Sequence, residues 1–256
     1  EAARLAYAAR AELVPDTESS AAAVTRLLAP GHAAAARRHI DRERAMARTP
    51  TAPPGSAEGY AEASAARAAE TTYLAVVDRD RNAASVMATI VDFWGSRLTA
   101  PESGVLLNSR GEYFTTDASD PNCWAPGKRP LSYSLPSMVV KDGRVSHVLG
   151  VVGGSYQPTG VLHVLTNMID FGLDPQAALT VPRAFHADGV VDVERGVADR
   201  VAMDLAARGH RVVRRAEGPR RQSGPLGGGQ VVAIDWDEGL LVGAADPRKD
   251  GSAIGY

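Results

Sequence analysis

Residues 71–91, TTYLAVVDRDRNAASVMATIV, decide the fold of this chain. Runs rich in Val, Thr, Tyr and Ile flank a polar stretch from Asp78 to Asn82, and β-branched and aromatic residues on both sides of a turn predict a hairpin. Thr71 stands at its leading edge. A second hairpin is expected in SMVVKDGRVSHVLGVVGG, residues 137–154, where Asp142-Gly143 is a strong short-turn signal. SYQPTGVLHVLTNMIDFG then reads as a helix that stops at Gly172, a residue able to take the left-handed cap conformation, and Val197 to Arg208 repeats this with Gly209. The end, QVVAIDWDEGLLVGAADPR, is strand-like again. Hairpins, then helices, then strands, without regular βαβ alternation, favour an α+β fold with antiparallel sheets.

Upstream of the first hairpin the text has a different character. Residues 1–14 place Leu5, Ala8, Ala9 and Leu13 at helical spacing, and Pro15 closes an amphipathic helix. From about residue 31 to 70 large apolar residues are scarce and breakers frequent, which predicts a mobile tail or linker. The charges from Arg37 to Arg48 are mixed in sign and read as a solvated face rather than a nucleic-acid patch. The sequence begins at Glu1, inside a helical pattern and without signal-peptide features, so it is expected to be a piece of something longer. Localisation therefore stays open between the cytoplasm and export.

Composition narrows the function classes. Within 256 residues the formal net charge is −2, which calls for neither nucleic acid nor a membrane as partner. Cys123 is the single cysteine, so no internal disulfide can form. Cys and His show no zinc-like spacing, and no metal or cofactor is expected. His163 and His186 read as structural, and Gly227-Gly228-Gly229, which no P-loop lysine follows, reads as a flexible loop.

A linker that ends at Glu70 against a strand opening with Thr71-Thr72 is what a self-cleaving precursor needs, because its scissile bond must be accessible and strained. Cleavage between Glu70 and Thr71 would give Thr71 a free α-amine, with a pKa of about 7.7–8.0. That amine can take the hydroxyl proton and later deliver it to the leaving group.

The stretch from Thr71 to Val86 resembles the start of the small subunit of the γ-glutamyltransferases, which are N-terminal-nucleophile hydrolases. The similarity continues in order through ESGVLLN (102–108), PGKRPLS (126–132), the Gly153-Gly154-Ser155 turn, VLTNMIDFGLDPQAALTVPRAFH (164–186) and ADPRKDGSAIGY (245–256). It covers residues 71–256 and, more loosely, 1–70 as the end of the large subunit with its linker. The resemblance implies the C-terminal portion of a four-layer αββα sandwich, made autocatalytically from one precursor whose N-terminal portion is the partner. It implies Thr71 as nucleophile, Thr89 as the hydroxyl that supports its amine, and Gly153 and Gly154 as oxyanion donors. Glycine suits that role because the backbone must approach a developing anion without a side chain in the way. Ser132 matches the first residue of the family's serine pair in the substrate pocket.

Where the family holds its γ-glutamyl head group with Asn, Gln, Asp and a second serine, this chain has Val91, Arg110, Tyr113 and Tyr133. Tyrosine in place of a carboxylate removes the partner of the substrate ammonium, and Arg110 adds a cation able to grip a carboxylate. A small-molecule substrate other than glutathione, with hydrolysis favoured over transfer, is the leading expectation. The resemblance also leaves open an acylase or γ-glutamyl transferase, a C–C bond hydrolase of the kind found in actinomycete 4-alkyl-proline pathways, and a non-catalytic homologue.

Overall fold

The computed structural model describes residues 1–10, 16–47, 70–187, 189–214 and 226–255. Three helices come first: α1 (Ala2–Arg10), α2 (Glu18–Leu27) and α3 (Pro30–Arg37). Leu5, Ala8 and Ala9 bury one stripe of α1, as their spacing predicts. The expected tail from about residue 31 is instead helical over α3. Pro30 occupies the first helical position, where its missing N–H costs nothing, and an alanine run follows. Residues 38–47 of the predicted linker follow without helix or strand, and 48–69 lie outside the described residues.

The first hairpin is β1 (Glu70–Val77) against β2 (Ala83–Val91), antiparallel throughout. Its turn is closed by Asp78, whose carboxylate accepts from the Asn82 N–H at 2.8 Å and from Asn82 Nδ2 at 2.9 Å. The second pairs β3 (Ser137–Lys141) with β4 (Arg144–Val152), and Asp142 and Gly143 both take the positive φ that a tight hairpin turn demands. β4 also pairs with β8 (Gly228–Asp235), which pairs with β9 (Leu240–Ala245), giving the sheet order β3-β4-β8-β9.

Residues 148–152 are buried without alternation because β4 is covered on both faces. The β1–β2 hairpin packs on one side. On the other, α4 (Gln157–Ile169) lies against β4, and α5 (Pro175–Thr180) against β8 and β9. Leu149, Val151, Val164, Leu179 and Val231 form the centre of this core. The sheets approach closely at Gly150, where an added Cβ would lie 2.4 Å from the Tyr73 ring.

A satellite sheet of β5 (Ala184–Ala187), β6 (Val190–Val193) and β7 (Val212–Arg214) completes the described elements, with α6 (Asp199–Ala207) between β6 and β7. β6 and β7 are parallel. One βαβ crossover therefore interrupts the expected antiparallel order, and strands too short to show periodicity explain why sequence reading passed over it. Gly227-Gly228-Gly229 is not a loose loop, since Gly228 and Gly229 begin β8 and Gly227 lies against Gly153.

Candidate functional site

The register of the first hairpin places the candidate nucleophile. Glu70 pairs with Val91 and Thr71 with Thr89, so Ile90 is an extra residue and β2 bulges at this point. Bulges re-aim side chains and end regular pairing, and here the bulge falls opposite the Glu70–Thr71 bond. Val91 has a φ of 77°, a region that a β-branched residue enters at a cost. Half-buried Thr71 donates from Oγ1 to Thr89 Oγ1 at 3.0 Å, and the same oxygen accepts from the Val91 N–H at 3.0 Å. Of Glu70 only the backbone is described, as the first residue of β1.

Gly153 and Gly154 follow β4 with φ of 139° and 57°, and a 3-10 turn from Gly154 to Tyr156 leads into α4. A Cβ on Gly153 would stand 2.8 Å from the Gly227 Cα, and one on Gly227 would meet the Val152 carbonyl oxygen at 2.2 Å. Both positions need glycine because two backbones pass each other here. Val152 lines a cavity of about 530 Å³ together with Thr71, Gln230, Lys249 and Asp250. The end of β4 and the front of β1 therefore open onto one space.

The residues that the resemblance assigns to the pocket converge. Val91, Tyr113, Leu131 and Tyr133 form one buried cluster, and the tyrosine rings meet edge to face with centroids 5.9 Å apart. Arg110 lies over Tyr113 at 5.7 Å and donates to the Leu131 carbonyl at 3.5 Å. Burial pulls its guanidinium below the ordinary arginine range. Ser132 is exposed between these buried neighbours, and its Oγ accepts from the Ser134 N–H at 3.2 Å. Sequence reading did not single out Arg10, whose guanidinium carbon lies 4.8 Å from the Tyr133 ring and 5.0 Å from that of Tyr7. Its Nε and Nη1 are buried without a hydrogen-bond partner.

A second cluster that sequence reading missed joins two matched motifs. Arg183, 1% exposed, donates to Asp246 at 2.5 Å, to the Leu226 carbonyl at 2.7 Å and to the Leu179 carbonyl at 3.1 Å. Arg248 grips Glu194 with Nε at 2.8 Å and Nη2 at 2.6 Å, and reaches Asp246 at 3.1 Å. Asp246 also accepts from the Gly229 N–H at 3.1 Å. The network ties residues 182–185 and 245–248 to the start of β8, and so braces the strand beside the glycine turn.

His163 and His186 are half-buried, and burial lowers both, with His186 pushed down to about 4. Among the described residues no group of His, Cys, Asp or Glu is arranged to hold a metal ion. No described helix is long and apolar enough to cross a membrane.

A β-hairpin that opens on a threonine, faced by a second hydroxyl and packed on the strand that runs into a glycine turn, is the framework of an N-terminal-nucleophile hydrolase. Residues 1–256 match the model of the Gamma-glutamyltranspeptidase family, and the chain belongs to that family. It is similar to the Acylase ACY 1 proenzyme of Pseudomonas sp. (strain SE83), 32% identical over 254 residues, or 99% of this chain and 42% of the relative. It is also similar to the Glutathione hydrolase-like YwrD proenzyme of Bacillus subtilis (strain 168), 34% identical over 193 residues, or 73% of this chain and 36% of the relative. Among solved structures, cephalosporin acylase from Bacillus halodurans aligns at a TM-score of 0.78 and 31% identity, covering 97% of this chain and 42% of that one. The chain thus spans about two fifths of the length of these relatives, and its α+β arrangement is that of their four-layer fold.

Proposed function

We propose that this chain is the nucleophile-bearing portion of a self-processing N-terminal-threonine hydrolase that cleaves an amide whose acyl group carries a carboxylate. The observation that carries the reading is the 3.0 Å hydrogen bond from Thr71 Oγ1 to Thr89 Oγ1, held at a bulge opposite the scissile bond. Before cleavage, Thr71 Oγ1 attacks the Glu70 carbonyl carbon, the Glu70–Thr71 C–N bond breaks to leave an ester and a free Thr71 amine, and water hydrolyses that ester to give the Glu70 carboxylate and restore the Thr71 hydroxyl. Thereafter that amine takes the hydroxyl proton, Thr71 Oγ1 forms the acyl-enzyme, and the N–H groups of Gly153 and Gly154 carry the developing oxyanion. The ammonium returns its proton to the leaving amine, and water resolves the ester.

Arg110 is the group that receives the acyl carboxylate. Tyr113 and Tyr133, packed ring to ring, offer no charge to an α-ammonium, and this disfavours a γ-glutamyl substrate. Supporting the reading, both relatives named above carry the word proenzyme, and the one from Pseudomonas sp. (strain SE83), aligned over 99% of this chain, is an acylase.

Two measurements test this. An intact mass is expected to show cleavage between Glu70 and Thr71, and Thr71→Ala is expected to remain one folded, inactive chain. An alanine variant that is cleaved and active sinks the mechanism. Between anilides, glutaryl is expected to be cleaved in preference to γ-glutamyl, and the reverse order would return the pocket to γ-glutamyl chemistry.

A further inference from the structure

Tyr7 lies in α1, on the other side of the Glu70–Thr71 bond from the nucleophile, yet it touches the glycine turn. Its hydroxyl donates to the carbonyl oxygen of Ser155 and accepts from Thr159 Oγ1 at 3.3 Å. Its ring stands edge-on to Phe185 with centroids 5.9 Å apart, and Arg10 stacks on it. Burial raises the phenol above its ordinary value, so it stays protonated and remains a donor at working pH.

The bond continues through the turn. In a trans peptide the C=O and the following N–H point in opposite directions, and every described peptide here is trans. Holding the Ser155 carbonyl therefore fixes the direction of the Tyr156 N–H, which donates to the Gly153 carbonyl at 3.0 Å. Holding the Gly153 carbonyl fixes in turn the Gly154 N–H, which donates to no acceptor among the described residues. Thr159, Tyr7, Ser155–Tyr156 and Gly153–Gly154 thus form one file of hydrogen bonds with a single unspent donor at its end. Such files polarise, each bond strengthening the next.

We propose that Tyr7 is a positioning residue that aims and polarises the Gly154 N–H for the oxyanion. The inference rests on the reading of the glycine pair as oxyanion donors. It makes a residue from before the cut part of the catalytic apparatus after it.

Tyr7→Phe keeps the ring between Phe185 and Arg10 and removes only the hydroxyl, so it is the variant of choice. In protein labelled with glycine carrying both 13C-carbonyl and 15N, only Gly154, Gly228 and Gly229 follow another glycine, so a carbonyl-filtered amide spectrum reduces to these positions. In the Thr71→Ala full chain, adding Tyr7→Phe is expected to move the Gly154 amide proton upfield and to leave Gly228 and Gly229 in place. In the Thr71 chain made by cell-free synthesis, Tyr7→Phe is expected to lengthen the half-time of cleavage about tenfold. On the preferred anilide kcat should fall by a similar factor with KM unchanged, as loss of one hydrogen bond felt in the transition state requires. Thr159→Val, one link further out, should shift the same amide less, and it carries the decision if Tyr7→Phe does not fold. An unmoved Gly154 amide, or cleavage at the unmodified rate, overturns the proposal. Cleavage in Thr71→Ala would instead overturn the nucleophile, and the amide shift would still judge the relay.

Discussion

Two kinds of arginine sit within this fold, and they differ in what their surroundings leave unspent. Arg183 and Arg248 spend their donors on Asp246, Glu194 and backbone carbonyls, and Arg183 is sealed from solvent. Arg110 and Arg10 lie on tyrosine rings instead, and neither makes an ion pair among the described residues. A guanidinium saturated by carboxylates has nothing left for a ligand. One held by aromatic faces keeps its in-plane donors, since a ring engages only the face of the fork. The first pair holds matched motifs together, whereas the second lies on the Tyr113 and Tyr133 rings of the buried cluster with Val91.

Breaking the saturated pair gives the largest expected effect. Asp246→Ala strands a buried guanidinium and the Gly229 N–H together, and losing one partner of a buried ion pair costs about 3–5 kcal/mol. Urea denaturation of the Asp246→Ala protein should show a loss of that size, and a change under about 1 kcal/mol would mean the network is far less coupled than its distances imply.

Testing the aromatic-stacked pair calls for kinetics instead of denaturation. Arg110→Ala should leave stability nearly unchanged and raise KM for a glutaryl anilide by about 10- to 100-fold, the worth of a charge-assisted hydrogen bond. Arg110→Lys should recover part of this, because it restores charge without the planar fork. If KM is unchanged for both variants, Arg110 belongs to the fold alone and the comparison with Arg183 collapses.

Legibility followed the range of the interactions. The hairpin that pairs Thr71 with Thr89 and the Asp142-Gly143 turn were readable as strands and turn because such runs and turn residues act within a few positions. The resemblance assigned Val91, Tyr113 and Tyr133 to one pocket, but the local sequence around each says nothing of their packing together. Arg183 and Asp246 were not readable as a pair, since 63 residues separate them and nothing in either local sequence says that the charge is buried. Tyr7 was hidden for a related reason. Its α1 stripe reads as generic amphipathic core, and the bond to Ser155 depends on how α1 docks 148 residues away. Ile90 shows as a bulge only once the register at Glu70 and Thr71 is known.

The histidines sharpen the comparison with the smallest effect. Burial lowers His147, His163, His186 and His210 from the ordinary 6.5, and for His186, pushed to about 4, neighbouring Arg4 adds to it. The unfolded chain then binds protons between about pH 6.5 and 4 that the folded chain refuses, so stability falls as pH falls through that window. Asp16, held at about 2 by Arg129, acts lower: its contribution is present above 3.8 and is lost only as pH falls toward 2. The two windows do not overlap. The midpoint of thermal unfolding should therefore decline steadily from pH 7 to 4.5, and His186→Gln should flatten that slope without altering the loss below pH 4. An unfolding midpoint that rises on acidification would mean these imidazoles are charged in the fold. The cationic surroundings of His186 would then have to be paired as completely as those of Arg183.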